Sequence, residues 1–600
     1  MATDVKMTTL YREGGAAPFP GLPAAADGSE AVAWVETHIS QGACAYPITP
    51  STPMGERYQA EVAKGKRNLW GEKLFFLEPE SEHSSASACE GFALAGGRVT
   101  NFTSGQGLVL MKEVLYVISG KRLPMVFHIG ARALTSHSLN IHCGHDDVMA
   151  VADCGWGMLF GRNAQEAADL ALIARRAAEE SETPFFNVQD GFLTTHTVES
   201  VRLPEPEMME EFIGSANGRL RRLFDPAAPL LSGPVQNQDS YMKGKVAQRY
   251  FTDRVPEALS SAFVEFERLT GRRYSFVDAY RMGDAEYAIV GMGSMMETAA
   301  ATADWLRAER GLRVGVVHIT SFRPFPGPQL VALLRNCRGV AILERMDNPL
   351  AQSNPLAGEI KAAFTEAAQA SAHGYPHISQ VPNFLCGLGG LGGRDIRPGD
   401  FVAIAEALKR GTRGTFAVGI RHPLALERTE DPDARPAHAL SLRGHSIGGF
   451  GSVTTNKIMA AVAAEVFGKR VQAFPKYGSE KRGLPTAYYL TIADEPIRLH
   501  CELDHVDVVA VHDLNAFEQG DPLAGLRPGG ALFLNTEKTV DQVWASLPAA
   551  TRLRIRQLGL KVYAMDTRAI AGTLAPTAEL ALRMQGIVLL GVFLRITPFR

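Results

Sequence analysis

The feature that most constrains the fold of this chain is a repeated alternation of short apolar runs and longer helical patterns. The first runs, rich in β-branched and aromatic residues, are "KLFFLEPE" (73–80), "RVTNFTSG" (98–105), "PMVFHIGAR" (124–132) and "PFFNVQDGF" (184–192). Between these runs lie helical patterns over 84–96, 107–119 and 164–180. This order is typical of crossover connections, so it predicts a parallel sheet with helices on both faces.

The same alternation returns twice further along the chain. A polar, irregular stretch over 194–280 is interpreted as a connector. The later strand patterns are "EYAIVGMGS" (286–294), "LRVGVVHITSFRPFP" (312–326), "GVAILER" (339–345), and, in a third unit, "VDVVAVHDL" and "GGALFLNT". We predict an α/β fold with three consecutive parallel-sheet domains. The predicted boundaries are an N-terminal arm over 1–27 and domains over 28–255, 256–415 and 416–600.

Composition and charge exclude several classes of protein. The 600 residues are 46% hydrophobic and 21% charged, as in an ordinary globular protein. A net charge of −3 gives no reason to expect nucleic acid or an anionic membrane as partner. The N-terminus has no apolar signal-like core, and the late stretch "GIVLLGVFL" (586–594) is shorter than the ~20 residues that span a bilayer. We therefore expect a cytoplasmic protein. Separately, the final residues have the pattern of a helix that has not yet ended.

The seven cysteines are scattered, and no two of them form a CxxC pair. This spacing argues against a disulfide framework and against a zinc or iron–sulfur site made by this chain alone. We predict no metal ligands in the chain, and we expect most of the thiols to be buried.

The stretch "AYPITPSTPMGE" (45–56) places a hydroxyl between two prolines at the end of an apolar run. Each proline fixes its own φ and restricts the residue before it, so Ile48 and Thr49 are held rigid where a strand gives way to a helix. Such turns collect ligand-binding groups in α/β proteins. The alternative is an ordinary loop that contains two prolines.

Several motifs together resemble the pyruvate:ferredoxin oxidoreductase family of thiamine-diphosphate-dependent 2-oxoacid oxidoreductases. They are "AYPITPSTPMGE", "FTSGQGLVLMKEVLYVISGKRLPMVFHIGARA", "HDDVMAVADCGWGML", "PFFNVQDGF", "GLGGRDI" and, in the third unit, "GGFGSVTTNKIMAAV" with "QAFPKYGSEKRGLPTAYYLTI". The resemblance covers nearly the whole chain in the family's order. It implies a pyrimidine-binding type of first domain, a second domain like the C-terminal domain of transketolase, and a γ domain associated with coenzyme A.

The resemblance also implies catalytic residues. Glu82 matches the glutamate whose carboxyl shares a proton with N1′ of the cofactor's pyrimidine, with Glu78 and Glu80 as nearby alternatives. Arg132 matches the arginine that grips the substrate carboxylate, a task that suits a planar guanidinium, and its alternative is a structural ion pair. Thr49 matches a threonine whose hydroxyl meets the substrate.

The loop "SHSLNIHCGHDDVM" (136–149) departs from the family pattern. Pyruvate enzymes read like Ile-Phe-Gly-Asp-His there, so His142 replaces an aromatic residue and Gly144 replaces an acid. Both changes favour a second negative charge in the substrate. We therefore predict that His142 and His145 bind substrate, and we favour 2-oxoglutarate over pyruvate. The alternative is that these histidines only pack or face an interface.

Cofactor contacts are predicted in the first and third domains. Glycines before a helix can present N–H groups to phosphate, and basic side chains can pair with coenzyme A, although a run of charges is more often a solvated face. The predicted cofactor-binding residues are Glu82, Ser104, Gln106, Gly449, Gly451, Lys476, Lys481 and Arg482.

The chain lacks two parts that the resemblance requires. It contains no Gly-Asp-Gly motif for Mg²⁺ and diphosphate, and no cysteine cluster for [4Fe–4S] centres. The resemblance therefore implies a separate β subunit that carries the diphosphate end of thiamine diphosphate, Mg²⁺ and the clusters, in a dimer of heterodimers that reduces ferredoxin. The expected reaction is coenzyme A-dependent oxidative decarboxylation of a 2-oxoacid to acyl-CoA and CO₂, or its reverse. Alternatives are another oxoacid, such as pyruvate, an aryl-pyruvate or oxalate, or a non-catalytic scaffold that binds coenzyme A or a nucleotide.

Overall fold

Residues 17–213 form eight strands and eight helices. The computed structural model describes residues 17–369, 374–447, 452–476 and 485–598. Strands β1 to β8 are Leu22–Ala26, Gly42–Cys44, Phe75–Leu77, Val99–Thr103, Val126–Ala131, Gly157–Gly161, Phe185–Asp190 and Val198–Leu203. Helices α1 to α8 are Gly28–Ile39, Thr52–Ala63, Glu82–Leu94, Gly105–Leu110, Lys112–Gly120, Asp146–Ala150, Ala164–Ser181 and Pro206–Ile213.

Six of these strands form the parallel part of the first sheet, in the order β6-β7-β5-β4-β2-β3. The chain leaves β2 toward one edge of the sheet and leaves β4 toward the other, so a topological switch point lies between β2 and β4. Ligands in open α/β sheets bind at the carboxyl ends of strands beside such a point. A site is therefore expected among the loops that follow β2, β3, β4, β5 and β7.

The middle of the chain forms a second sheet. Helices α9 to α15 are Tyr241–Ala247, Arg249–Thr252, Val255–Thr270, Met295–Arg310, Gly327–Leu334, Pro355–Gln369 and Pro398–Lys409, with a short 3-10 turn at Leu391–Gly393. Strands β9 to β15 are Val277–Tyr280, Tyr287–Gly291, Val314–Ile319, Ser321–Arg323, Gly339–Glu344, Asn383–Leu388 and Gly414–Ala417. The sheet order is β15-β14-β13-β10-β11-β9, and only β9 pairs antiparallel to its neighbour.

The second sheet shares a core with the first. Strand β12 leaves the second group of elements and pairs antiparallel with β6 at the edge of the first sheet. One continuous cluster of buried side chains contains residues from both sheets, and the Phe160 and Phe322 rings meet edge-to-face at 6.4 Å within it. Shared apolar burial therefore holds the two sheets together.

The third sheet is mixed. Strands β16 to β21 are Leu440–Ile447, Arg470–Lys476, Pro485–Ala493, Val506–Val511, Leu526–Asn535 and Lys561–Met565, and helices α16 to α21 are Ser452–Glu465, Ala516–Gln519, Val540–Ser546, Ala549–Gln557, Thr567–Leu574 and Ala578–Ile596. The order is β1-β8-β17-β18-β16-β19-β20-β21, so two early strands complete it. The four adjacent strands β16, β19, β20 and β21 are parallel to one another. Strand β18 is antiparallel to both of its neighbours, β16 and β17.

The described residues divide into two compact units. The first unit contains Asp27–Thr195 and Arg202–Ala434, with the first and second sheets. The second unit contains Pro23–Ala26, His196–Val201 and the described residues from Arg435 onward, with the third sheet.

The predicted α/β class with mainly parallel sheets is confirmed, and every quoted strand pattern contains an observed strand. Two expectations differ from the structure. The stretch 194–280 is more ordered than a connector, because it includes the amphipathic helix α11, whose apolar side is buried. The third sheet is mixed rather than parallel, because its middle strands form a hairpin-like antiparallel group. The predicted domain boundaries remain predictions.

A partly buried and a buried histidine lie side by side in the third sheet. His445 is on β16, and His512 follows β19, the parallel neighbour of β16. The His512 ring contacts the Tyr488 hydroxyl at 2.7 Å, and Tyr488 occupies the space that a side chain at Gly444 would need. Burial, together with the positive charges of His445 and Arg568, lowers the pKa of His512 to about 4. His512 therefore stays neutral at neutral pH.

We predict that the second unit loses stability in mild acid because of His512. Its folded pKa lies below the unfolded value near 6.5, so the unfolded chain binds the extra proton as the pH falls from about 6.5 to 4. The free energy of unfolding should fall by about 3 kcal/mol over this range from His512 alone. Urea unfolding of wild type and His512→Gln at several pH values checks this, with the variant expected to show a shallower slope. Equal slopes in both proteins contradict the assignment.

Candidate active site

The loop after β2 places Thr49 at the carboxyl edge of the first sheet. The Ile48 carbonyl accepts hydrogen bonds from the backbone N–H of Ser51 at 3.0 Å and of Thr52 at 3.2 Å, which closes the turn before α2. The Thr49 carbonyl accepts a hydrogen bond from Arg132 Nη1 at 2.9 Å. Within the described residues, the Thr49 hydroxyl has no hydrogen-bond partner. It is therefore available to a ligand.

Glu82 is the first residue of α3, the helix that follows β3. Ser81 caps this helix by accepting a hydrogen bond from the Ser84 N–H at 3.3 Å, which directs Glu82 into the first turn. The Glu82 side chain is half-buried and lies over Gly107, where an added Cβ would come within 2.7 Å of its Oε1. No described residue donates a hydrogen bond or ion pair to its carboxylate. A half-buried acid with no protein partner is suited to contact a bound group.

The two alternative glutamates have different environments. Glu78 and Glu80 are exposed, and Glu80 accepts a hydrogen bond from the Ser84 hydroxyl. That hydrogen bond lowers the pKa of Glu80. Of the three acids, only Glu82 combines partial burial with a glycine surface beneath it.

Arg132 follows β5 and is 6% exposed. Its Nε donates to the Asn140 carbonyl at 2.9 Å and its Nη1 to the Thr49 carbonyl, also at 2.9 Å. Its Nη2 has no partner within the described part of the chain, so this nitrogen can bind a carboxylate. Burial lowers the pKa of Arg132, and the nearby Asp147 charge opposes that effect.

Asp147 joins the loops on either side of Arg132. Its Oδ2 accepts from the N–H of Gly105 at 2.7 Å and of Arg132 at 3.0 Å, and its Oδ1 accepts from Val148 at 2.8 Å. Burial raises its pKa to about 7, although these hydrogen bonds favour the charged form. One carboxyl group thus ties the start of α4 to the end of β5.

The start of α4 carries the two polar residues predicted to contact a cofactor. Ser104 is buried, and its Oγ has no hydrogen-bond partner. Gln106 donates a hydrogen bond to the Thr135 hydroxyl. Gly105 has φ +52°, and an added Cβ would approach the Arg132 side chain at 3.0 Å. Ser104 is therefore one of the polar groups that a ligand at this edge can satisfy.

The loop of His142 lies beside Arg132. The His142 ring packs against the Phe192 ring with centroids 4.8 Å apart. Burial lowers the pKa of His142, and the charge of Arg132 lowers it further. His142 is therefore neutral at neutral pH and can offer a hydrogen bond but no positive charge.

His145 lies in a buried polar cluster behind this loop. Its Nε2 contacts Asp190 Oδ1 at 2.9 Å, Arg345 Nε lies 3.2 Å from Asp190 Oδ2, and the Ser294 hydroxyl donates to the same Oδ2 at 2.7 Å. Burial would raise the pKa of Asp190, but Arg345, His145 and Ser294 outweigh it and hold the pKa below its usual range. With its side chain 1% exposed, His145 serves this cluster, and its role as a substrate ligand stays a prediction.

Three possible metal-ligand atoms meet in the same cluster. They belong to Cys143, His145 and Asp190 and lie within 4.8 Å of one another. The Arg345 guanidinium already forms an ion pair with Asp190, and its positive charge would repel a metal cation. We interpret this group as a structural cluster rather than a metal centre. None of the seven cysteines forms a disulfide in the described part of the chain, and all but the partly exposed Cys386 are buried, as expected.

Among the predicted coenzyme A residues, Lys476 is described. It lies on β17, and its ammonium group pairs with the Glu502 carboxylate. Gly449, Gly451, Lys481 and Arg482 lie outside the described residues.

The ends of five strands thus bring Thr49, Glu82, Ser104 and Arg132 to one edge of the first sheet, with Asp190 behind the loop that contains His142. This arrangement fits thiamine diphosphate on two structural observations. Glu82 presents an unpaired carboxylate over a surface that a Cβ at Gly107 would fill, and the buried Ser104 hydroxyl lacks a partner. The site therefore offers an acid and a hydroxyl, both without a partner among the described residues, to a bound aminopyrimidine ring.

Family models match three stretches of the chain. The model for pyruvate flavodoxin/ferredoxin oxidoreductase, thiamine diphosphate-binding, matches residues 36–263. The model for core domain II of pyruvate:ferredoxin oxidoreductase matches 285–401, and the model for pyruvate ferredoxin/flavodoxin oxidoreductase matches 441–599. The chain belongs to the pyruvate:ferredoxin/flavodoxin oxidoreductase family of 2-oxoacid oxidoreductases.

Two curated relatives and one solved structure are similar to the chain. The chain is 32% identical over 569 residues to a pyruvate-flavodoxin oxidoreductase of Klebsiella pneumoniae, a match that covers 93% of this chain and 47% of the relative. It is 32% identical over 568 residues to a pyruvate:ferredoxin oxidoreductase of Moorella thermoacetica, with the same two coverages. A solved 2-oxoglutarate:ferredoxin oxidoreductase from Magnetococcus marinus is similar over 66% of each chain, at 19% identity and a TM-score of 0.46. The chain spans about half the length of the curated relatives that it matches.

The relatives overturn one expectation from the sequence. A separate β subunit in a dimer of heterodimers was predicted, because the chain lacks a Gly-Asp-Gly motif and cysteine clusters. That prediction is wrong, since each curated relative is a single polypeptide of which this chain matches about half. The absence of these motifs indicates that the ligands of the diphosphate, Mg²⁺ and the clusters lie outside this sequence. It does not indicate whether those ligands belong to the same polypeptide.

Within the described residues, none of the helices is both long enough and apolar enough to pass through a membrane.

Some site residues escaped sequence reasoning. Asp147 and Asp190 are the buried carboxyls that hold the site, and Arg345 reaches it from the second sheet. Asp147 belongs to the motif "HDDVMAVADCGWGML", and its position two residues after His145 was a local indication that it lies near the site. The pairing of Asp190 with Arg345 left no signal, because 155 positions separate the two residues in the chain.

We predict that Gly107→Ala separates folding from cofactor binding. Alanine favours a helix over glycine by up to about 1 kcal/mol, and the flexible Glu82 side chain can move aside, so thermal stability should be kept or raised. The displaced carboxyl should weaken binding of thiamine diphosphate by roughly tenfold, or about 1.4 kcal/mol. The measurement is a calorimetric titration of the full protein. Gly91→Ala is the matched control, because it lies in α3 with nothing within 4 Å of the added Cβ; equal binding by both variants contradicts the assignment.

Proposed function

We propose that this chain provides the pyrimidine-side half of the active site of a pyruvate:ferredoxin or pyruvate:flavodoxin oxidoreductase. The reaction is coenzyme A-dependent oxidative decarboxylation of pyruvate to acetyl-CoA and CO₂, or its reverse. The observation that carries the proposal is the convergence of Glu82, Arg132 and Thr49 at one sheet edge, each with an unpaired polar group within the described residues. A non-catalytic scaffold has no need of this convergence.

Each residue has a role that follows from its contacts. When bound, thiamine diphosphate supplies the stabilisation of carbanion character that decarboxylation of a 2-oxoacid requires. Glu82 holds a proton at the pyrimidine ring nitrogen, and the absence of a side chain at Gly107 leaves room for the Glu82 side chain in this position. Arg132 Nη2 binds the substrate carboxylate, and the Thr49 hydroxyl hydrogen-bonds the substrate beside it.

We propose pyruvate as the substrate, in place of the 2-oxoglutarate favoured from the sequence. The curated relatives are named for pyruvate. His142 carries no charge at neutral pH, because its pKa is lowered. Gly144 faces the backbone of Ala133, where an added Cβ would lie 2.7 Å from the Ala133 Cα, so its lack of an acid does not open the pocket. Neither departure from the family pattern therefore supplies a positive charge for a distal carboxylate.

The remaining groups of the reaction are also proposals. Mg²⁺, the diphosphate contacts and the [4Fe–4S] centres would be supplied from the half of the relatives' length that this chain does not match. The third sheet would contribute to coenzyme A binding, and a phosphate at Lys476 would compete with Glu502. Ferredoxin or flavodoxin would accept the electrons.

We predict that Glu82→Gln lowers kcat by roughly 10²- to 10⁴-fold, the usual contribution of a positioned proton-transfer group. A neutral amide cannot share a proton with the pyrimidine, whereas its shape is kept, so assembly and thermal stability should be unchanged. The measurement is pyruvate- and coenzyme A-dependent reduction of a viologen dye by the full-length enzyme. Glu80→Gln is the control and should stay within about twofold of wild type, as expected for an exposed surface acid. A large loss in Glu80→Gln instead would reassign the catalytic acid.

We predict that Arg132→Ala and His142→Phe differ in substrate dependence. A hydrogen bond to a charged group is worth about 1.5–3 kcal/mol, so Arg132→Ala should lower kcat/KM roughly ten- to hundredfold for every 2-oxoacid. His142→Phe should leave the ratio of kcat/KM between pyruvate and 2-oxoglutarate within about twofold of wild type, as expected when no charged contact is lost. All values come from the same dye assay, and damage to folding cancels in the His142→Phe result because it is a ratio between two substrates in one protein. A selective loss of 2-oxoglutarate activity in His142→Phe would restore the dicarboxylate hypothesis.

A further inference from the structure

The substrate loop of the first sheet is held by backbone groups of the second sheet. This loop, residues 140–145, lies between β5 and α6. The Gly393 N–H donates to the Cys143 carbonyl at 2.9 Å, and the His145 N–H donates to the Arg345 carbonyl at 2.9 Å. The second sheet therefore contacts the loop at two points on the backbone alone.

Asn140 connects this support to the substrate arginine. Its Nδ2 donates to the Gly392 carbonyl at 3.3 Å, and its Oδ1 accepts from the His142 N–H at 2.7 Å. Its own carbonyl accepts from Arg132 Nε at 2.9 Å. Asn140 is thus bonded on one side to the glycine-rich loop of the second sheet and on the other to the side chain that we assign to the substrate carboxylate.

The glycine-rich loop, residues 389–393, has no room for side chains where it meets the substrate loop. Gly392 and Gly393 have φ of +68° and +73°, a region that favours glycine. An added Cβ at Gly393 would lie 2.6 Å from the His142 Cβ, and one at Gly392 would lie 3.0 Å from Asn140 Nδ2. The contact is with the stem of His142, which cannot rotate away as the end of a long side chain can.

The glycine-rich loop is itself anchored on a rigid group. The buried Arg345 donates through Nη1 to the Gly390 carbonyl at 3.2 Å while its Nε lies 3.2 Å from Asp190. Removing one partner of a buried ion pair is strongly destabilising, so this anchor resists displacement. A shift of the glycine-rich loop would therefore be passed to the substrate loop rather than absorbed behind it.

We infer that the glycine-rich loop and Asn140 are positioning elements for substrate recognition: they act through the 140–145 loop to place Arg132 and His142. This inference deepens the proposed function and rests on it, because it takes Arg132 as the ligand of the 2-oxoacid carboxylate. It gives the second sheet, which carries no predicted catalytic residue, a part in substrate binding.

The test compares Gly393→Ala with Gly411→Ala in the full-length enzyme. Gly411 has φ of +71°, close to that of Gly393, but nothing lies within 4 Å of its added Cβ. Both variants therefore carry the same backbone strain, and only one displaces His142. We expect KM for pyruvate to rise roughly tenfold or more in Gly393→Ala, with kcat changed less, since a displacement of about 1 Å can cost up to about a hundredfold. Gly411→Ala should keep the wild-type KM.

A second variant guards against a general effect of Gly393→Ala on folding. Asn140→Ser keeps a short side-chain oxygen that can accept the His142 N–H, but it cannot reach the Gly392 carbonyl. We expect a smaller rise in KM, and faster hydrogen exchange at the Gly393 amide because the link between the loops is lost.

The outcomes separate this inference from the proposed function. A KM equal in Gly393→Ala and Gly411→Ala, or an unchanged Gly393 amide in Asn140→Ser, overturns the positioning role. A wild-type enzyme that turns over no 2-oxoacid contradicts the proposed function instead. In that case hydrogen exchange still decides whether the loops are coupled, since it needs no turnover: faster exchange over residues 140–145 in Gly393→Ala than in Gly411→Ala supports the coupling, and equal exchange overturns it.

Discussion

The buried carboxylate of Asp190 is the contact on which the rest of the site depends. It ends β7 of the first sheet and receives His145 from the substrate loop, Ser294 from the start of α12 and the charge of Arg345 from the end of β13. Gly293 must lack a side chain for this approach, because an added Cβ would lie 2.5 Å from Asp190 Oδ1. One anion therefore fixes two sheets and a functional loop relative to one another within a single compact unit, in a setting where an unpaired charge is too costly to persist.

The site in front of this cluster is built from neighbouring strand ends. Parallel strands deliver their following loops to the same edge, so Thr49, Glu82, Ser104 and Arg132 converge although they are far apart in sequence. Glycines at 105 and 107 keep the start of α4 close to Arg132 and Glu82. Asp147 then locks the two loops by accepting three backbone N–H groups. Within the described residues the Ser104 hydroxyl at this edge has no partner, whereas the Asp147 and Asp190 carboxylates behind it each accept several hydrogen bonds.

Much of the fold could be predicted because its pattern is local. Strands such as Val126–Ala131 and Phe185–Asp190 are continuous buried apolar runs, which are recognisable in the sequence. The turn at Thr49 is recognisable because a proline lies on either side of it. The helix α11 was missed because its apolar side is interleaved with charges in a polar stretch. The departure of β12 to the first sheet and the antiparallel middle of the third sheet were also missed, since strand pairing over long separations leaves no periodic trace.

The sequence by itself determined the α/β class, the order of the three sheets' main elements and the identity of Glu82, Arg132 and Thr49 as candidate residues. The class and the order follow from the spacing of apolar residues along a few turns or strands, and the three candidate residues follow from the resemblance of short motifs to those of the family. Only the tertiary structure decided which of three glutamates is half-buried, that His142 is neutral, that His145 belongs to a structural cluster, and that residues 389–393 support the substrate loop. Burial, pKa and close approach depend on neighbours contributed by distant parts of the chain, and those neighbours are known only once the chain has folded.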